Sequence, residues 1–259
     1  MPKGRPNKER LKCIHCLSVP DEITDDHVIP ESWYSIGKSK DTRKPTAPSC
    51  PKCNNDLGAL EKKVSHQMWL SMPDTNPLTP ELRIRVFRAF GMGPDGKALP
   101  GLKSNERHAR LQYLKKLMNA TVPLGKIDEK RMMPGFGFHP GYERAIQRGT
   151  LFDPKELERV AEKIIRGVEY IQKGAKRYLE EPYKVEAYPR VDADGPEFKA
   201  IRDICPVFHD GTNTIQRGAV PERPLEPIYI IRVWDQWEIW GVIMHKDRDF
   251  SLPESHSLV

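Results

Sequence analysis

The chain has 259 residues, 38% hydrophobic and 30% charged, long enough for one large domain or two smaller ones with a real core under a polar surface. No run of eighteen apolar residues occurs, which excludes a transmembrane helix, and MPKGRPNKERLK lacks the apolar stretch of a secretory leader, so the expected address is cytoplasmic, with no membrane partner. A net charge of +6 and a pI near 9.0 permit a phosphate-rich partner without requiring one.

Residues 1–10 read as a disordered basic arm. Lys3, Arg5, Lys8, Arg10 and Lys12 face Glu9 alone. This is either a solvated tail or an arm that lies along a nucleic-acid backbone and displaces counterions.

Residues 11–75 hold four of the five cysteines, as Cys13-x-x-Cys16 and Cys50-x-x-Cys53. Without a secretory leader, paired C-x-x-C reads as metal binding rather than disulfides. No βαβ pattern surrounds either pair, which argues against a redox motif. Four thiolates close a tetrahedral zinc site with no open position, so Zn²⁺ here would hold the fold rather than do chemistry. His15, inside the first knuckle, is a rival ligand. A segment this short and polar buries little, so it needs the metal.

Between the pairs lies TDDHVIPES, read as a short strand that ends in Asp26-His27. The second pair opens a predicted helix, CPKCNNDLGALEKKVSHQMWL, with Asn54 in its first turn. The knuckles would clamp strand end to helix start. A carboxylate oxygen of Asp26 and an amide oxygen of Asn54 suit one hard divalent cation, Mg²⁺ or Mn²⁺. His27 would stand beside it and take a proton from water. The plain alternative is that Asp25 and Asp26 cap a turn while His27 packs in a small core. Lys38, Lys40, Arg43 and Lys44, with Lys52, Lys62 and Lys63, flank these residues in sequence and are candidate phosphate contacts or simply solvated charges.

CxxC, then DHVIP, then CxxCN resembles the pattern of the HNH endonucleases, the ββα-metal nucleases. The match covers Cys13–Cys16, Asp26–Pro30 and Cys50–Asn54, within residues 11–66, about a fifth of the chain. The resemblance implies a metal-dependent endonuclease that hydrolyses DNA phosphodiester bonds and leaves a 5′-phosphate, RNA remaining open. It implies Asp26 and Asn54 as ligands of the catalytic metal, His27 as general base, and Cys13, Cys16, Cys50 and Cys53 as the structural zinc set. Glu61 matches an acidic position of some relatives, as a further metal ligand or as a solvated helix residue. One departure is plain: the family's middle Asn, which orients the histidine, is Pro45 here, with Thr46 or Ser49 as substitutes. Two further readings follow: a catalytically impaired, zinc-containing nucleic-acid-binding module, or a partner-activated defence or toxin-type nuclease.

Past a Pro-rich break, residues 76–259 read as an α+β domain of unknown role, helices first and antiparallel sheet after. TPELRIRVFRAFG predicts a helix over 80–90 with Thr79 as cap, and SNERHARLQYLKKLMN another capped by Ser104. DPKELERVAEKIIRGVEYIQ predicts a third, capped by Asp153, with Leu157, Val160, Ala161, Ile164, Val168 and Ile171 as core stripe. YKVEAYP alternates as a strand, and IYIIRVWDQWEIWGVIM reads as strands 228–234 and 238–244 around a turn near Asp235-Gln236. Trp234, Trp237 and Trp240 read as sheet packing, with base stacking the alternative. Cys205 reads as a small buried residue. This domain would read DNA, form a homodimer or take an accessory partner. The expected fold class is thus α+β, a zinc-stapled ββα-metal module at 11–75 followed by a helical then antiparallel-sheet domain.

Overall fold

The computed structural model describes residues 11–35, 44–70, 72, 76–93, 97–119, 121–123, 148–150, 152–172, 178–189, 201–204, 206–219 and 222–247. The basic arm, Lys38, Lys40, Arg43 and Cys205 lie outside them. Strand β1 (Thr24–His27) pairs antiparallel with β2 (Thr46–Ser49), setting Asp26 opposite Ala47 and His27 opposite Thr46. One residue after β2 the chain enters helix α1 (Pro51–Leu70). Leu57, Leu60, Val64 and Met68 are buried at helical spacing and press α1 into the core.

Helices α2 (Thr79–Ala89) and α3 (Ser104–Asn119) follow. Thr79 and Ser104 are their first helical residues rather than caps. Asn76 takes the turn before α2, where its Oδ1 accepts from the Leu78 N–H at 2.9 Å. Val86, Phe90 and Leu117 bury together, with Trp69 of α1 packed on them. A two-stranded ribbon, β3 (Thr121–Pro123) and β4 (Arg148–Thr150), precedes helix α4 (Pro154–Gln172). Asp153 Oδ1 accepts the Lys155 N–H at 3.0 Å, so the expected cap is in place.

Strands β5 (Tyr183–Pro189), β6 (Phe208–His209), β7 (Asn213–Gly218), β8 (Ile228–Val233) and β9 (Trp237–His245) form one antiparallel sheet in the order β5-β9-β8-β7-β6. The β8–β9 turn carries two left-handed residues, Trp234 (φ 53°) and Asp235 (φ 52°), as a tight hairpin turn requires. Strand β7 was not legible in NTIQRG, whose polar residues Asn213 and Gln216 are nonetheless buried. They bond inside the protein, Asn213 Nδ2 to the Trp33 carbonyl at 3.0 Å and Gln216 Nε2 to that of Ile204 at 3.0 Å.

Helix α4 is packed on two sides. Gly167 meets Val28, whose methyls would lie 2.8 Å from any added Cβ, and Ile165 fills the space over Gly241 in β9. Leu157, Val160, Ala161, Ile164 and Val168 are buried as expected; Ile171, in the last turn, is 37% exposed. One hydrophobic cluster joins Ile14, Val28, Trp33 and Val64 with Ile164 of α4 and Ile215 and Ile239 of the sheet. The segments on either side of the expected boundary at 75/76 therefore share a core, because 11–75 carries too little apolar surface to close one alone. Trp234, Trp237 and Trp240 are all at most 4% exposed, so they offer no face for stacking bases. Among the described residues no helix is long and apolar enough to cross a membrane.

Candidate functional site

The site begins at the two cysteine knuckles. In the first, Leu17 takes φ 61°, its N–H donating to the Cys13 carbonyl at 2.9 Å, while the Cys13 N–H donates to that of Ser18 at 2.9 Å. In the second, Cys50 precedes α1 with Pro51 at the first helical position, and its Sγ accepts the Cys53 N–H at 3.4 Å, as a helix cap does. The Ile14 N–H donates to the Pro48 carbonyl at 3.0 Å, which ties the first knuckle to β2.

The four thiol sulfurs of Cys13, Cys16, Cys50 and Cys53 all lie within 4.8 Å of one another, a set that can hold a metal ion. Cys16 and Cys50 sulfurs stand 3.9 Å apart. Tetrahedral sulfurs at the usual zinc–sulfur distance are separated by about 3.8 Å, so the set fits. Ser18 Oγ, 3.0 Å from the Cys16 sulfur, pulls that thiol down to about 6, whereas burial and the neighbouring Cys50 push Cys53 up. Among the described residues no other group of three or more His, Cys, Asp or Glu side chains comes close enough to hold a metal.

His15 does not join the thiols. Its Nε2 lies 3.1 Å from Asp26 Oδ2. The other carboxylate oxygen, Oδ1, is 2.8 Å from the ammonium of Lys163, a residue of α4. The same ammonium bonds Glu61 Oε1 on α1. The side chains of Lys163, Asp26 and Glu61 are 2%, 6% and 12% exposed, so this is a buried cluster. Burial raises the Asp26 carboxyl, but His15 and Lys163 together outweigh it and hold the group below its usual value. Glu61 has Lys163 alone, burial wins, and its carboxyl is raised. Glu61 is thus no solvated helix residue.

Asn54 sits in the first turn of α1, where its Nδ2 donates to Thr24 Oγ1 at 3.0 Å. Thr24 and Asp26 share a face of β1 by strand alternation, so Asn54 is docked on the strand that carries Asp26, through Thr24. His27 points to the other face. Its ring is 34% exposed and its Nε2 is 3.9 Å from Glu31 Oε2. Its Nδ1 is buried without a hydrogen-bond partner among the described residues. Pro45 lacks the orienting side chain, yet its carbonyl accepts the Val28 N–H at 2.9 Å, one residue past His27. Ser49 Oγ is engaged by the Cys50 carbonyl at 3.3 Å and does not replace the missing Asn.

The described basic residues divide. Lys44 is 12% exposed and bound to Glu31 at 2.5 Å, which leaves it poorly disposed to grip a phosphate. Lys63 is held by Glu156 at 2.5 Å. Lys52 is 84% exposed and its 2.9 Å pair with Asp56 is a solvated surface contact that a phosphate can replace. A cavity of about 370 Å³ opens between α1 and α2, with Glu31, Glu61, Lys62 and Arg85 on its wall. A second, of about 220 Å³, lies by the knuckles, lined by His15, Lys52, Glu162, Lys163 and Arg166. Sequence reasoning missed Lys163 altogether; its one signal was a charge inside the apolar run of α4.

No family model matches the chain, nor does any curated protein or solved structure.

Proposed function

We propose that the chain is a metal-dependent endonuclease that hydrolyses phosphodiester bonds in DNA, built on a zinc-stapled ββα unit. One observation carries the reading. An antiparallel hairpin whose first strand ends in Asp26-His27 runs directly into a helix whose first turn bears Asn54, and four thiols within 4.8 Å fasten the two. That is the strand, strand and helix order which the HNH resemblance implies. On ligand chemistry the metal of the four thiolates is zinc.

His27 Nε2 would take a proton from water as the water oxygen bonds to phosphorus. The bond from phosphorus to the 3′ oxygen breaks, and the departing oxygen collects a proton, leaving a 5′-phosphate. A Mg²⁺-class ion held by Asp26 and Asn54 would supply neutralisation of the charge that builds on the phosphate, and His27, across the strand from Asp26, would have to turn toward it for both to act on one phosphate. Removal of a general base costs about 10²–10⁴ in rate.

A second reading is a nucleic-acid-binding module without turnover. It is favoured by Lys163, whose ammonium lies 2.8 Å from the carboxylate that the cation would need. Supercoiled plasmid incubated in Mg²⁺, Mn²⁺ or EDTA separates the two. We expect metal-dependent nicking by the wild type that falls at least a hundredfold in His27→Ala. A gel shift that weakens with salt, without cutting in any metal, would overturn the nuclease and leave the binding module.

A further inference from the structure

Both oxygens of Asp26 are already engaged, Oδ2 by His15 at 3.1 Å and Oδ1 by Lys163 at 2.8 Å. The second partner is itself a cation, delivered by a different element and shared with Glu61. A divalent ion cannot approach this buried carboxylate without displacing one of them, and a charge on Lys163 would repel it at close range. Lys163 also lines the knuckle-side cavity, where it could exchange onto Glu162 or Asp56, now paired with Arg166 at 2.8 Å and Lys52 at 2.9 Å, while Glu61 lines the other cavity.

We propose that Lys163 is a tethered cation that competes with the divalent metal for Asp26 and Glu61, so that metal binds this site only when the ammonium swings away. The inference rests on the reading of Asp26 as a metal ligand. It makes α4 a brake on the site: whatever moves Lys163 toward the knuckle-side cavity, nucleic-acid phosphate included, raises affinity for the metal.

The test is Mn²⁺ binding to zinc-loaded, full-length protein, followed by the spin-resonance signal of bound Mn²⁺ and by thermal unfolding, with no DNA present. Lys163→Met should bind Mn²⁺ at least tenfold more tightly than wild type and should gain more thermal stability from it. Lys163→Arg, which keeps the charge, should stay near wild type. Adding Asp26→Asn to Lys163→Met should abolish the gain. Equal Mn²⁺ affinity in wild type and Lys163→Met overturns the proposal, as does a gain that survives Asp26→Asn. If Lys163→Met and Lys163→Ala fold neither with nor without Mn²⁺, a metal cannot replace the ammonium and the proposal falls. A protein that shows the expected Mn²⁺ behaviour yet leaves plasmid uncut would overturn the nuclease alone.

Discussion

At Asp26 burial and pairing pull in opposite directions, and pairing wins because two partners reach one carboxylate. A carboxylate held below its usual value stabilises the fold above the unfolded pKa and loses that contribution as pH falls through the lowered one. His66 shows a different outcome. It packs between Phe90 and Tyr113, with ring centroids 5.1 and 5.9 Å away, and burial beside Lys62 pushes it down to about 4. The unfolded chain therefore takes up a proton between pH 6.5 and about 4 that the folded chain refuses. Stability should fall as pH drops through that window, by about 2–3 kcal/mol at pH 4.5 relative to pH 7. Urea unfolding at the two pH values measures it, and His66→Phe, which cannot titrate, should lose correspondingly less.

The decisive element is α4. It touches the hairpin through Gly167, the sheet through Ile165, and the buried carboxylates through Lys163. Arg166, on the same helix, donates to the carbonyls of Ile14 at 3.3 Å and Leu179 at 2.8 Å, tying the first knuckle to the approach to β5. The space at Gly167 is closed by a β-branched valine with little freedom to move aside. Gly167→Ala should destabilise by about 1–3 kcal/mol through overpacking, read as a lower thermal midpoint. Val28→Ala in the same chain should recover part of that loss, because it removes the two methyls that clash.

For the whole molecule, a core shared by the knuckle segment, α4 and the sheet predicts one cooperative unit. The expected stoichiometry is one zinc per chain by elemental analysis. On heating, zinc release and the loss of tryptophan burial should coincide, because Trp33 of the N-terminal segment accepts hydrogen bonds on its carbonyl from Asn213 and Trp234 of the C-terminal segment, at 3.0 and 2.8 Å. Cys50→Ser should lower the midpoint of the single transition. Two separated transitions, with zinc lost first, would show that residues 11–75 unfold independently of the rest.

Much of this was open to reading along the chain. Cysteine pairs point to a metal-binding set by spacing alone, and the four thiols do converge into one that can hold a metal ion. Three long helices and the β8–β9 hairpin follow from periodicities that repeat within a few residues. The helix that carries Asn54 starts beside Cys50, where proline and cysteine mark its beginning. What the sequence could not disclose is who pairs with whom across the fold. His15 stands in a cysteine knuckle yet reaches Asp26, Lys44 pairs with Glu31, and Lys163 finds Glu61 from 102 residues away. Spacing encodes contacts that the backbone itself enforces, whereas a buried ion pair is chosen by which elements pack together. Only the tertiary structure could therefore place a lysine where the sequence called for a metal.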